Sequence, residues 1–156
     1  MLPRINLIYE TFLFRDMMEN FEDKIVEAAR GWLGTKFHHQ GRMKNVGVDC
    51  IGLIVGVAKE LGIAVEDRND YAREPRNGEL EKALGANLSE CEIAHGAVAL
   101  FRIEKEPQHV GIISKYKNGL GLIHAYAQTR KVVEHSFDEC WQKRLVKTFS
   151  LAGAGK

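Results

Sequence analysis

Along residues 51–61 the polar positions almost vanish: Ile51, Leu53, Ile54, Val55, Val57, Ala58 and Leu61 put apolar side chains on nearly every side of a helix. A surface helix keeps a polar stripe, so this one is enclosed and reads as the central helix of the fold. Upstream, Phe21, Ile25, Ala28, Ala29, Trp32 and Leu33 recur at helical spacing. Asn20 stands there as an N-cap, Glu22 and Asp23 follow in the first turn, where acids suit the positive helix end, and Gly34 closes the segment. Residues 1–19 carry no convincing pattern, residues 35–48 read as a loop with Gly41 and Gly47, residues 63–77 as a polar connection and residues 78–88 as a short helix. After that the period falls to two. "HGAVALFRI", "HVGIISKY", "GLIHAYA" and "KVVEHSF" are short alternating or β-branched runs, with Asn118-Gly119 marking a hairpin, and "RLVKTFSL" follows a short helix around residues 138–143. Helices first and an antiparallel meander afterwards predict an α+β domain, its central helix packed on the sheet.

Composition narrows the function classes. The 156 residues suit one core, here residues 20–151, with residues 1–19 as an N-terminal extension of unknown role and 152–156 as a C-terminal tail. At 45% hydrophobic, 28% charged and net charge +1, the chain is neither disordered nor suited to a polyanion, which excludes nucleic acid as the expected partner. Cys50, Cys91 and Cys140 form no C-x-x-C pair, so neither a disulfide framework nor a zinc ribbon is expected. Charges at Arg4, Glu10, Arg15 and Asp16 interrupt the first twenty residues and leave no secretory h-region, and no run reaches the roughly 20 apolar residues of a membrane span. Synthesis in the cytoplasm without an export signal, and no membrane partner, are the expectations.

One feature exceeds what a core helix needs: it opens with an acid and a thiol, Asp49-Cys50. With Asp49 as cap, Cys50 lies in the first turn, where unpaired N–H groups and the helix dipole favour a thiolate. Asp49 opposes that charge, so a cationic histidine partner is required. His109 and His124 share a face by parity, but a two-residue hairpin on Asn118-Gly119 would set them four positions, about 13 Å, apart. A wider loop centred near Tyr116 and Lys117 brings them opposite each other and is the expected one. Cys50 would then be nucleophile, His109 base and later acid, and His124 the residue orienting His109, with the Cys50 N–H as an oxyanion donor.

"GWLGTKFHHQG", "VDCIGLIVGVAKELG", "HVGIIS" and "LIHAYA", in this order, resemble the NlpC-type cell-wall peptidases, a branch of the papain-like cysteine peptidases. The resemblance covers roughly residues 22–150, and its "HHQG", "DC-x-GL" and "IHAY" stretches are most similar to short versions encoded with phage tails and gene-transfer agents. It implies a papain-like fold, a Cys50-His109-His124 site without metal or cofactor, and hydrolysis of peptidoglycan stem peptides, typically between D-γ-glutamate and diaminopimelate. It allows phage-tail or gene-transfer-agent proteins as further partners, and action at the wall as a tail component. Asp49 is implied to contact a substrate amino group. The chain departs from the family at Phe37, where a tyrosine is usual, so His38, His39 or Gln40 become candidate donors; Phe37, His39 and Gln40 join Asp49 as substrate-binding candidates. Ile51 replaces a serine, Lys36 a proline and Ala97 an acid.

Plainer readings stand beside these. An isolated free cysteine is most often a packed core residue, and Asp49 can be a cap alone. His38 and His39 can be polar loop residues, His95, His135, Cys91 and Cys140 have no evident role, and Trp141 with Lys143-Arg144 reads as an amphipathic element over a strand edge. A zinc site from Cys50, His109 and His124 lacks paired-ligand spacing. Rival functions are a catalytically weak or inactive tail or wall-binding module, for which Phe37 argues, and a thiol acyltransferase, against which the missing apolar anchor argues.

Overall fold

The computed structural model of the protein describes residues 5–68, 71 and 78–151. The elements are α1 (Ile5–Arg30), β1 (Arg42–Met43), β2 (Gly47–Val48), α2 (Cys50–Glu60), α3 (Glu79–Asn87), β3 (Ser89–Cys91), β4 (Val98–Arg102), β5 (Pro107–Tyr116), β6 (Gly119–Tyr126), β7 (Lys131–Ser136), α4 (Glu139–Arg144) and β8 (Leu145–Ser150). The architecture is α+β, with a six-stranded antiparallel sheet carrying α2 on one face.

Helix α1 passes straight through Asn20, which therefore caps nothing. No glycine or proline interrupts residues 5–30, so the backbone carries no break at Asn20. Ile25, Val26 and Ala29 are buried in its second half, whereas Leu7, Ile8, Phe12, Phe14 and Met17 in its first half are exposed. The helix ends at Arg30, before Gly34. The tail at residues 152–156 lies outside the described residues.

The sheet departs from a simple meander. Its order is β3-β8-β4-β5-β6-β7, so the last strand returns to pair with β4 and β3, and the short β3 was not legible as a strand. A meander ending at β7 would leave the N–H and C=O groups of β4 unpaired along one edge; β8 satisfies them. Strand alternation then divides the core in two. Leu53, Ile54 and Val57 of α2 pack with Val98, Leu100, Val110, Ile112 and Ile123. Ala99, Phe101, Ile113, Leu122, Phe137 and Trp141 fill the opposite face. Burial on both faces is why these strands read as nearly continuous apolar runs.

The β5–β6 hairpin settles the histidine register. Tyr116 pairs with Gly119 and Ile112 with Ile123, so the turn is the tight pair Lys117-Asn118, with Lys117 at φ 52°. It is neither the Asn118-Gly119 turn nor the wider loop expected from sequence. In this register His124 falls level with Gly111 and His109 level with Tyr126, a diagonal offset of two positions, about 7 Å, which ring-bearing side chains bridge. The parity argument is retained, because a shift of the pairing by two keeps every side chain on its face.

Candidate active site

Asp49 caps α2, its carboxylate accepting the Gly52 N–H at 2.7 Å. The same carboxylate is almost wholly buried, at 3% exposure, and accepts from the Gln40 N–H at 2.8 Å, from Arg42 Nη1 at 3.1 Å and from the Tyr71 hydroxyl at 2.5 Å. With four donors on two oxygens, its acceptor sites are occupied. Arg42 also donates to the Tyr71 oxygen at 2.7 Å and to Asp67 at 3.0 Å. A cap that the sequence reads as local is therefore the centre of a network reaching across the loop and the polar connection. Gly52 explains the fourth letter of Asp49-Cys50-Ile51-Gly52: a Cβ there would overlap the Gly41 carbonyl, so the helix start and the loop can meet only over a bare backbone.

Cys50 is the first residue of α2 and keeps part of its surface exposed. The backbone amides of Val110, Ile51 and Cys50 itself favour the thiolate. Desolvation and then the Asp49 carboxylate outweigh them and push the thiol up to about 12. The expected depressed pKa is thus corrected: the resting sulfur is a protonated thiol, because dense surroundings penalise the charge more than three amide dipoles reward it.

His109 and His124 do come together. His109 Nε2 lies 2.7 Å from His124 Nδ1, and the rings are 6% and 0% exposed. Gly111 makes room, since a Cβ there would stand 3.0 Å from the Cβ of His124. Burial drives His109 down to about 3, helped by the charge of Arg144, and His124 to about 2, helped by its two histidine neighbours. Both imidazoles are therefore neutral at rest. They lean on the Trp141 side of the sheet, with Trp141 centred 4.8 Å from His124 and 5.7 Å from His109. Cys50 packs with the α2 side of the core. Helix α2 packs on β5, the strand that carries His109, and the regular β5–β6 pairing ends at Ile112, short of His109. Among the described residues no hydrogen bond joins Cys50 to His109, and none of their acids, thiols and imidazoles are grouped to hold a metal ion.

The remaining candidates divide. Gln40 belongs to the network, its side chain donating to the Tyr71 carbonyl at 3.0 Å. His39 lies edge-on to Tyr71 at 5.7 Å, and Phe37 packs against the core. His95 turns out to be structural: it bonds Asp23 at 2.8 Å and accepts the Lys115 N–H at 2.7 Å. Three residues escaped the sequence reading. Tyr71 brings a hydroxyl beside Asp49 from a stretch read only as polar, and it is the one aromatic in residues 63–77. Trp141 is buried beneath the imidazoles rather than lying over a strand edge. His135 sits 2.8 Å from His124. A groove of about 450 Å³ passes the helix start, lined by Ile51, Arg68, Tyr71, Leu80, Ala83 and Asn87.

Residues 34–150 match the model of the NlpC/P60 family. The chain is 24% identical over 134 residues to the murein DD-endopeptidase MepS/murein LD-carboxypeptidase of Escherichia coli K12, covering 84% of this chain and 64% of that protein. Among solved structures it is similar to an NLP/P60 family protein of Staphylococcus aureus, described as similar to lipoprotein, with a TM-score of 0.60, 19% identity, and coverage of 83% and 41% of the two chains. An NlpC/P60 family protein of Bacillus cereus gives a TM-score of 0.60 at 18% identity, with coverage of 81% and 39%. A family match over most of the length, on the same helix-on-sheet framework that carries Cys50 and the paired imidazoles, settles the assignment: this chain belongs to the NlpC/P60 family.

Proposed function

We propose that the protein is a cysteine peptidase that hydrolyses amide bonds in the stem peptides of bacterial peptidoglycan, the D-γ-glutamyl-diaminopimelate bond first among them. One observation carries this reading: Cys50 opens α2, which packs on β5, the strand that carries His109, and the His109 ring is held by His124 at 2.7 Å. Nucleophile, base and orienting group are thus brought together by one helix start and one pair of neighbouring strands.

The resting protonation states select the order of events. Because Cys50 is held as a thiol and His109 as a neutral imidazole, the proton leaves the sulfur as the sulfur attacks the carbonyl, rather than in a preformed ion pair. His109 then returns that proton to the departing amine, and water repeats the sequence on the thioester. The Cys50 N–H serves as the oxyanion donor, since the Gly52 N–H at the same helix start is taken by Asp49. The murein endopeptidase relative supports the wall peptide as substrate. The chain spans 64% of the length of that relative, so its substrates and partners are carried over here as part of the proposal. Delivery in a phage-tail particle rests on the sequence resemblance alone.

Purified protein incubated with muropeptides should produce shortened stems by mass spectrometry, and the Cys50→Ala form should leave the spectrum unchanged. Phe37 and the elevated thiol pKa favour a second reading, a wall-binding module without turnover. Wild-type protein that retains muropeptides on a column yet never alters their mass would select it.

A further inference from the structure

His135 of β7 extends the imidazole pair into a chain of three. His109 Nε2 is 2.7 Å from His124 Nδ1, His124 Nε2 is 2.8 Å from His135 Nε2, and His135 Nδ1 is 2.9 Å from the carbonyl oxygen of Ser136. That last oxygen only accepts, so Nδ1 of His135 carries a hydrogen and, in the neutral ring, Nε2 is bare. His124 must then donate through Nε2 and accept at Nδ1. His109 must in turn donate through Nε2, which leaves its Nδ1 bare. A single carbonyl at the far end therefore dictates which nitrogen of the base is free.

The environment changes along the chain. His109 and His124 are buried, whereas His135 is partly exposed and lines an open cavity with Lys117, Tyr126, Asp138 and Trp141. A positive charge is most costly on the inner rings and least costly on the outer one. Depressed pKa values at His109 and His124 agree with that gradient. The groups facing His135 are His124 and Tyr126 from β6, Tyr116 at the end of β5, Lys117 from the β5–β6 turn, and Asp138 at the start of α4. Arg144 of α4 stacks on Trp141, and Glu134 is drawn away to Arg30.

We propose that His135 is a positioning residue and the solvent-side end of a three-imidazole proton relay, setting the tautomer that frees His109 Nδ1 and receiving the charge when Cys50 loses its proton. The proposal rests on the assignment of Cys50 and His109 as nucleophile and base. The Cys50 S–H bond breaks and an N–H bond forms at His109 Nδ1. The Nε2 proton of His109 passes to His124 Nδ1, and the Nε2 proton of His124 passes to His135 Nε2. One proton has shifted along the chain, leaving a negative charge on sulfur and a positive charge on His135. Each transfer reverses when the leaving amine takes the proton from His109 Nδ1.

The test uses the full chain labelled with ¹⁵N-histidine, without substrate, together with His135→Gln and His135→Phe. Long-range ¹H–¹⁵N spectra of the wild type should give Nδ1 bare and Nε2 protonated for both His109 and His124. Glutamine can accept the His124 proton through its amide oxygen but cannot carry charge, so His135→Gln should keep that tautomer and lower kcat about tenfold with KM unchanged. His135→Phe should scramble the tautomers and lower kcat about a hundredfold, at a melting temperature close to that of His135→Gln. A protonated His109 Nδ1 in the wild type, or a His135→Phe protein with unchanged spectra and wild-type kcat, overturns the proposal. The spectra decide the tautomer whether or not peptides are cut, so the expected pattern in a protein without turnover would sink the hydrolase reading and leave the positioning role standing.

Discussion

At the residue scale, Asp49 does two opposed things: it holds the helix start, Arg42 and Tyr71 together, and its charge raises the thiol beside it. Asparagine caps as well as aspartate, so Asp49→Asn should retain most of the cap while removing the charge. Alkylation of Cys50, followed by mass spectrometry across pH, should then set in at lower pH than in the wild type. Asp49→Ala loses the cap and one of the two carboxylates of Arg42, which keeps Asp67, for an expected cost of about 1–2 kcal/mol in denaturant unfolding. The cap itself was legible in the sequence, because it depends on neighbours three residues apart. Arg42 and Tyr71 were not, because nothing in a linear stretch tells which polar side chain folds back onto a carboxylate.

At the element scale, α2 is positioned by what its glycines lack. A Cβ at Gly56 would overlap the Trp32 ring of the α1–β1 connection, so Gly56→Ala should destabilise the fold by about 1–3 kcal/mol, read from the denaturant midpoint, despite the better helix propensity of alanine. Helix α1 makes the opposite case. Its second half supplies Ile25, Val26 and Ala29 to the core, while Leu7, Ile8, Phe12 and Phe14 are exposed. Removal of residues 1–17 should leave the thermal unfolding midpoint almost unchanged and increase solubility, since among the described residues it deletes the exposed Leu7, Ile8, Phe12 and Phe14 and none of the core. Helix periodicity found the second half from sequence; it missed the first half because Glu10, Arg15 and Asp16 are mixed among its apolar residues without a clean polar stripe.

At the scale of the whole molecule, two neutral imidazoles buried in a doubly covered sheet link stability to pH. Their folded pKa values, about 3 and 2, lie below the unfolded value of 6.5. Between those limits the unfolded chain binds more protons, so the stability is complete above about pH 6.5 and is lost as pH falls toward 3. Each ring contributes a slope of up to about 1.4 kcal/mol per pH unit. Denaturant midpoints measured from pH 7 to 4 should decline with a proton uptake approaching one per histidine, and a flat profile would contradict their neutral burial. Cys50 has the reverse sign: its raised pKa makes stability fall as pH climbs from about 9 towards 12.

The amino-acid order alone determined the helices with local caps, the period-two strands, the thiol at a helix start and the shared face of His109 and His124, because each follows from contacts or parity within a few residues. Tertiary structure decided the rest. The return of β8 beside β4, the Lys117-Asn118 turn, the arrival of Tyr71 and Trp141, and the third imidazole at His135 all depend on segments distant in sequence. The charge state of the site belongs with them. Helix position predicts a thiolate, but desolvation is a property of everything that surrounds an atom, and here it keeps the sulfur protonated and both inner rings neutral until a proton can move.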